Sequence, residues 1–260
     1  MDKVIVIKMG GAVYDSRDTT IDDLVSLQQQ GIRLVVVHGG ANLVTSWLSR
    51  QGVASKFVRG ERVTDAAALE VVIAVLAGSV NKEIVAAINS SGGRAVGVSG
   101  VDGALVQGKI KNAEMGYMGS VVTIDTSLLE ALLKAGFIPV VSPVSLHLFD
   151  KPEGAPRMLN INGDPVAGEI AAAIGAERLL FLTDVAGISD RSGRLLPRLS
   201  SSEVASLIDS GVATGGMIPK INACLRALSG TAVTRIIDGR HPHALLGEMK
   251  EGGGGTTIYK

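Results

Sequence analysis

Two lysines, one aspartate and two asparagines stand at glycine-rich junctions of this chain: Lys8 before Gly10-Gly11, Lys220 after Gly215-Gly216-Met217, and the run Asn160-Ile161-Asn162-Gly163-Asp164. Two asparagines can orient a small polar ligand, and one carboxylate can hold a pair of ammonium groups. Alternation at period two places Asn160, Asn162 and Asp164 on one face of an extended segment. A helical pattern follows over Pro165–Gly175, and a helix N-terminus favours anions. Asn-x-Asn-Gly-Asp is also ordinary turn chemistry. The two lysine–glycine junctions elsewhere in the chain are what argue for a site. Such a set suits phosphoryl transfer, which needs positioned cations and backbone N–H donors around spread negative charge rather than covalent chemistry from the protein. Lys8 and Lys220 supply the charge and Asp164 holds them in place. Gly10-Gly11 and Gly39-Gly40 bring backbone N–H groups close, since glycine has no Cβ to obstruct the approach. Arg62, in Gly60-Glu61-Arg62-Val63-Thr64-Asp65, offers a planar fork for a substrate carboxylate.

Other chemistries find no footing. There is no Gly-x-x-x-x-Gly-Lys-Ser/Thr loop, no His-Arg-Asp or Asp-Phe-Gly set, no Gly-x-Ser-x-Gly, and no Gly-x-Gly-x-x-Gly after the first strand-like run. His38, His147, His241 and His243 lack metal-ligand spacing with a cysteine pair. His38 ends an apolar run, which suits packing or fixing a turn better than acting as a base. Cys224 is the single cysteine and sits in an apolar helical pattern, as a buried, inert thiol does.

The elements that must position these groups read as an α/β alternation. Apolar β-branched runs occur at Val4–Lys8, Leu34–His38, Ala95–Val98, Ile138–Val141, Leu179–Thr183 and Arg235–Ile237, as expected of strands buried on both faces. Helical patterns lie between them, at Ile21–Gln30, Ala41–Gln51, Asp65–Ser90, Thr126–Ala135, Ser202–Ser210, Met217–Ser229 and Pro242–Met249 besides the one named above. Asp65 and Ser202 are the expected caps of two of them. Lys109–Ile124 reads as a hairpin around Gly116 and Gly119, and Leu146–Met158 as a second excursion. Both can cover a ligand. Open parallel sheets bind at the carboxyl ends of their strands, where Gly10-Gly11, Gly39-Gly40, Gly97–Gly100 and Asp184–Gly187 all fall.

With 260 residues, 46% of them apolar, the chain can build a sizeable core. Charge balances at 25 against 25 and aromatics are few, which argues against nucleic acid and acidic membrane surfaces as partners. No apolar run reaches the ~18 residues of a membrane span, and the N-terminus runs directly into a strand-like segment with no targeting peptide. A cytoplasmic setting is the expectation.

The chain resembles the amino acid kinase superfamily, and within it the N-acetyl-L-glutamate kinases. The resemblance runs essentially end to end. Its markers include Ile7-Lys8-Met9-Gly10-Gly11, Val37-His38-Gly39-Gly40, Gly60–Thr64, Val80-Asn81-Lys82, Ser99–Gly103, Asn160–Asp164, Leu182–Gly187, Gly215–Lys220 and Asp238-Gly239-Arg240. The resemblance implies a three-layer α/β/α sandwich around a mainly parallel sheet, one domain over 1–260. Its lobe 1–158 is for substrate and dimerisation, and its lobe 159–260 is for ATP. It implies ATP-dependent phosphorylation of the side-chain carboxylate of N-acetyl-L-glutamate, with Mg²⁺ held largely by the phosphates. Lys8 and Lys220 are then the transition-state cations and Asp164 their organiser. Gly11, Gly39, Gly40, Ala41, Arg62, Asn160 and Asn162 face the acidic substrate and its phosphoryl group. Gly10, Asp184, Val185, Ala186, Gly187, Ile188, Ser189, Val212, Ala213 and Thr214 border the nucleotide.

Two positions depart from the family pattern. Ala41 stands where a third glycine is usual, and the N–H survives that change if φ is negative. Glu61 replaces an apolar residue beside the arginine, and either repels an acidic substrate or faces solvent, the second being favoured. A kinase for carrier-linked 2-aminoadipate shares most phosphate-side motifs. Carbamate, aspartate, glutamate and uridylate kinases match the middle of the chain less well, and a catalytically dead sensor should have lost one of Lys8, Lys220 and Asp164. The resemblance implies a homodimer along Asp65–Ser90, whose stripe Leu69, Val72, Ile73, Leu76 and Val80 either forms the seam or faces the chain's own sheet. Arginine-inhibited relatives carry a linking helix before the first strand, where this chain has only Met1-Asp2. The segment His243–Glu248, with Gly252–Thr256, resembles half of their arginine site. An arginine-insensitive dimer is the expectation.

Overall fold

The computed structural model of the chain describes residues 3–10, 19–58, 60–250 and 253–260. Its strands are β1 (Val4–Met9), β2 (Arg33–His38), β3 (Phe57–Val58), β4 (Glu61–Arg62), β5 (Ala95–Gly100), β6 (Val106–Ile110), β7 (Gly119–Ile124), β8 (Ile138–His147), β9 (Met158–Asn160), β10 (Arg178–Thr183), β11 (Arg198–Ser200), β12 (Val233–Asp238) and β13 (Thr256–Tyr259). Its α-helices are α1 (Thr20–Gln29), α2 (Ala41–Arg50), α3 (Ala66–Val72), α4 (Asn81–Ser90), α5 (Ser127–Lys134), α6 (Gly163–Ile174), α7 (Ser201–Asp209), α8 (Met217–Ala227) and α9 (Ala244–Met249). One sheet runs β11-β13-β12-β10-β1-β2-β8-β6-β7, with β5 and β9 also paired to β8. Its centre, β12-β10-β1-β2-β8, is parallel. The antiparallel pairs β12/β13, β6/β7 and β8/β9 flank that centre.

Every residue of β1 is buried, and its alternation feeds two cores. Val4 and Val6 pack with Val35, Val37 and the apolar faces of α5, α6 and α8. Ile5, Ile7 and Met9 pack on the opposite face with Leu34, Val36 and residues of α1, α2, α3 and α4. Lys8 continues the Val4, Val6 face and therefore points toward α6. Alternation thus decides which layer receives the cation.

The six expected strands form, and the Lys109–Ile124 hairpin forms as β6 and β7. Short strands β3, β4, β11 and β13 went unforeseen because two to four residues, several of them polar, carry no buried run. Asp65 caps α3 by accepting from the Ala68 N–H at 2.8 Å. Ser202 is not a cap. Ser200 is, in a reciprocal capping box with Glu203, because only the Ser200–Glu203 pair has the three-residue spacing that box needs. Nor does the extended alternation run to Asp164: it ends at Asn162, the N-cap of α6, and Asp164 lies in the first helical turn.

The helix Ala66–Ser90 is continuous, with a π-helical stretch at Ile73–Val80 joining α3 to α4. By length and composition it meets the measure of a membrane span, against expectation. Its apolar side is already used: Leu69, Val72, Val75, Leu76, Val80, Ile84 and Ile88 are buried. The expected stripe therefore faces the chain's own sheet, with Ile73 only partly buried at its margin.

Candidate active site

A cleft of about 300 Å³ opens at the carboxyl ends of the central strands, lined by Lys8, Gly10, Gly39, Gly40, Ala41, Arg62, Asn160, Asn162, Asp184 and Lys220 among others. Behind the two lining lysines, Asp164 Oδ1 lies 2.6 Å from Lys8 Nζ, and Asp164 Oδ2 accepts from Lys220 Nζ at 3.1 Å. Lys8 comes from the end of β1, Asp164 from the first turn of α6 and Lys220 from the first turn of α8. Asp164 is 3% exposed and Lys8 7%. Burial by itself raises the Asp164 carboxyl, but the charges of Lys8 and Lys220 outweigh it and hold the group below its ordinary value. The carboxylate stays ionised and the two ammonium groups stay 2.6 and 3.1 Å from it, ready to meet a phosphoryl group from the cleft side.

The glycine junctions divide their labour. The Gly10 N–H donates to Leu182 O at 3.0 Å and the Gly39 N–H to Met9 O at 3.1 Å, so these two continue the sheet rather than serve a ligand. That corrects the expectation of a donor at each glycine. The N–H groups of Gly40 and Ala41, at the N-terminal end of α2, have no acceptor among the described residues, as the first turn of a helix dictates. Gly40 has φ 149°, and a Cβ there would sit 2.7 Å from Leu76 Cδ2, so glycine is required. Ala41 begins the helix and has no positive φ, so its N–H survives the departure from a third glycine. Gly11 lies outside the described residues.

Arg62 is buried, with Nη2 donating to Ala41 O at 3.0 Å and to Thr45 Oγ1 at 2.7 Å, and Nη1 to Ser55 Oγ. Its guanidinium lies 4.7 Å from the Phe57 ring centroid. Burial lowers its pKa, and among the described residues no carboxylate pairs with it. A buried cation with only neutral partners beside a cleft is arranged for an anion from outside. Asn160 donates to Thr64 Oγ1 at 2.9 Å, which fixes its amide at the cleft wall. Asn162 is spent on capping: its Oδ1 accepts from the Asp164 N–H at 3.0 Å.

Glu61 neither faces solvent nor stands free to repel. It forms an ion pair with Lys111 of the segment between β6 and β7. The apolar part of the wall, from Val44, Val72, Leu76 and Met118, was not foreseen. Its signal was the hairpin over Lys109–Ile124 together with the helix Ala66–Ser90, not any polar motif. Of the remaining residues expected at the nucleotide, Val185, Ala186 and Thr214 are exposed. Ile188 and Ala213 belong to the core, Gly187 packs against Thr256, Ser189 bridges Leu195, and Val212 donates to Leu207 O. All eight lie outside the 300 Å³ cleft. The expected half-site for arginine is already filled from within: Glu248, 3% exposed, pairs with the chain's own Arg235 at 2.9 Å.

The sequence profile described as the amino acid kinase family matches residues 3–238. Acetylglutamate kinase from Dehalococcoides mccartyi (strain CBDB1) is 51% identical over 255 residues, covering 98% of this chain and 94% of that protein. Acetylglutamate kinase from Thermosynechococcus vestitus is 46% identical, over 95% of this chain and 84% of that protein. Among solved structures, N-acetylglutamate synthase from Neisseria gonorrhoeae complexed with coenzyme A and N-acetyl-glutamate superposes with TM-score 0.84 at 28% identity, and this chain spans 59% of that longer one. Carbamate kinase from Giardia lamblia bound to AMP-PNP has the same fold, with TM-score 0.70 at 16% identity over 100% of this chain and 99% of that one.

Proposed function

This chain belongs to the amino acid kinase family, and within it to the acetylglutamate kinases, and on that premise we propose that it transfers the γ-phosphoryl group of ATP to the side-chain carboxylate of N-acetyl-L-glutamate. The observation that carries the reading is Asp164 gripping from behind both Lys8 and Lys220, which line a cleft that Arg62 borders. A carboxylate oxygen of the substrate attacks the γ-phosphorus as the bond to the bridging oxygen of ADP breaks. No general base is required, because the attacking carboxylate is ionised at neutral pH. Lys8 and Lys220 offset the charge that spreads over the transferring group, and Asp164 keeps them from drifting. The Gly40 and Ala41 N–H groups bind a phosphoryl oxygen, Arg62 grips a second carboxylate of the substrate, and Asn160 holds its amide. Lobe 1–158 carries the acidic substrate and lobe 159–260 the nucleotide, along Asp184–Ser189 and Val212–Thr214. Among the described residues no cluster of three or more His, Cys, Asp or Glu could hold a metal, and Asp164 is occupied by lysines. The residues do not fit a protein-held Mg²⁺, and a divalent ion would arrive on the ATP phosphates.

ADP release with N-acetylglutamate, glutamate and 2-aminoadipate side by side tests the acceptor. N-acetylglutamate should be turned over fastest, and a preference for either other acid would overturn the assignment. In the same assay Lys8→Ala and Lys220→Ala should each lower kcat on the order of 10²-fold with little change in KM, as loss of oriented transition-state charge does. A kcat within a few-fold of the unsubstituted enzyme would remove the lysines from the mechanism.

A further inference from the structure

His38 is fully buried and does not line the cleft, yet it is the residue before Gly39-Gly40. Its Nδ1 lies 2.9 Å from Gly39 O. A carbonyl oxygen only accepts, so Nδ1 carries the proton. Its Nε2 lies 3.2 Å from Asn81 Nδ2, so in the neutral ring Nε2 accepts. Asn81 is itself locked. Its Nδ2 also faces Val140 O at 2.9 Å and Val98 O at 3.2 Å, on two neighbouring strands, so its two hydrogens are shared among three acceptors, while Oδ1 accepts from Lys82 Nζ at 3.1 Å. Gly97 leaves the space this needs, for a Cβ there would fall 2.0 Å from Asn81 Oδ1.

The Gly39–Gly40 peptide is trans, so its C=O and N–H point in opposite directions. Pulling the Gly39 oxygen toward the buried ring therefore turns the Gly40 N–H away from it, and Gly40 is a wall of the cleft while His38 is not. Resting on the phosphoryl-transfer reading above, we propose that His38, clamped by Asn81, is a positioning residue that aims the Gly40 N–H at the transferring phosphoryl group. A glycine with φ 149° has shallow restraints of its own, so its amide needs an external hold. Burial, opposed by the bond to Gly39 and aided by the charges of Lys8 and Lys82, lowers the ring's pKa to about 4, so the neutral ring persists at neutral pH.

The experiment compares His38→Leu, which removes the donor, with His38→Asn, whose amide nitrogen can take the place of Nδ1. Asn81→Ala loosens the ring from behind without touching Gly39. In steady-state kinetics His38→Leu should lower kcat about tenfold or more, as a misaimed donor does, with both KM values within about threefold. His38→Asn should recover most of the loss, and Asn81→Ala should fall between. A second readout needs no turnover: the Gly40 amide resonance on titration with AMP-PNP. It should move in the unsubstituted protein and in His38→Asn, and much less in His38→Leu. Equal kcat losses in the Leu and Asn variants, a change confined to KM, or a Gly40 amide that responds alike in all variants would overturn the proposal. If no acceptor acid is phosphorylated by the unsubstituted enzyme, the acceptor assignment fails, and the amide titration still decides His38.

Discussion

Each oxygen of Asp164 meets a different ammonium group, and that is a costly thing to bury. Desolvating three charges is repaid only by good geometry, so the triad is better understood as a preorganised site than as a source of stability. Lys8, Asp164 and Lys220 were legible in the sequence because each sits beside glycines at a strand or helix end, where a charge has few structural uses. His38 was legible only as a packing or turn-fixing residue. What it fixes depends on Asn81, 43 positions away, and no local pattern announces that. The ring also makes the fold sensitive to acid. Its pKa is about 4 against an ordinary 6.5, so between those values the unfolded chain binds the proton and the folded one does not. Stability from this group is fully present above about pH 6.5 and is lost as pH falls toward 4, by up to about 3 kcal/mol. Urea unfolding at pH 7.5 and pH 5 should show the unsubstituted protein losing about 2 kcal/mol more than His38→Asn over that interval. Parallel losses in the two proteins would place the ring's proton elsewhere.

At the scale of elements, the cleft is closed by two hairpins joined to each other. The β3–β4 hairpin carries Arg62, and the segment between β6 and β7 reaches it through Thr64 N–H to Met115 O at 3.1 Å and Tyr117 N–H to Thr64 O at 2.6 Å. The Lys111–Glu61 ion pair ties the same two elements one residue from Arg62. The helices and long strands were readable from period, but this junction was not, because Glu61 and Lys111 are 50 residues apart and β3 and β4 have two residues each. With Lys111 43% exposed, the pair should contribute under about 1 kcal/mol to stability. Its effect should appear instead in how Arg62 is presented. Glu61→Gln and Lys111→Met should each raise KM for N-acetylglutamate several-fold while leaving KM for ATP and the melting temperature nearly unchanged. The charge-exchanged double variant Glu61→Lys/Lys111→Glu should recover part of the loss. Steady-state kinetics in which both single variants match the unsubstituted enzyme would reduce the pair to a surface contact.

For the whole molecule the question is what the long helix Ala66–Ser90 presents outward. Its strongly apolar side is spent on the chain's own core, so of the two readings of its stripe the one facing the chain's own sheet holds, and the stripe is not free to form a dimer seam. The side that remains carries Gly78, half-buried, and Ala74 and Ala86, exposed, bordered by Ile73, Ala77 and Val85, which are partly buried against the core. Ala74, Gly78 and Ala86 are small residues over which a second helix can come close, and a homodimer through this lobe is what the family resemblance implies. A two-fold contact would place the same patch on both partners. Gly78 gives a clean test. A Cβ there meets nothing within 4 Å, and glycine is a poor helix former, so Gly78→Glu should leave the single chain folded, even somewhat more stable. Across a two-fold seam it would bring two carboxylates together in a desolvated contact. Light scattering at micromolar concentration should give twice the 26.8 kDa chain mass for the unsubstituted protein and the chain mass for Gly78→Glu. A monomer in both would reject the dimer, and a dimer in both would move its seam off this helix.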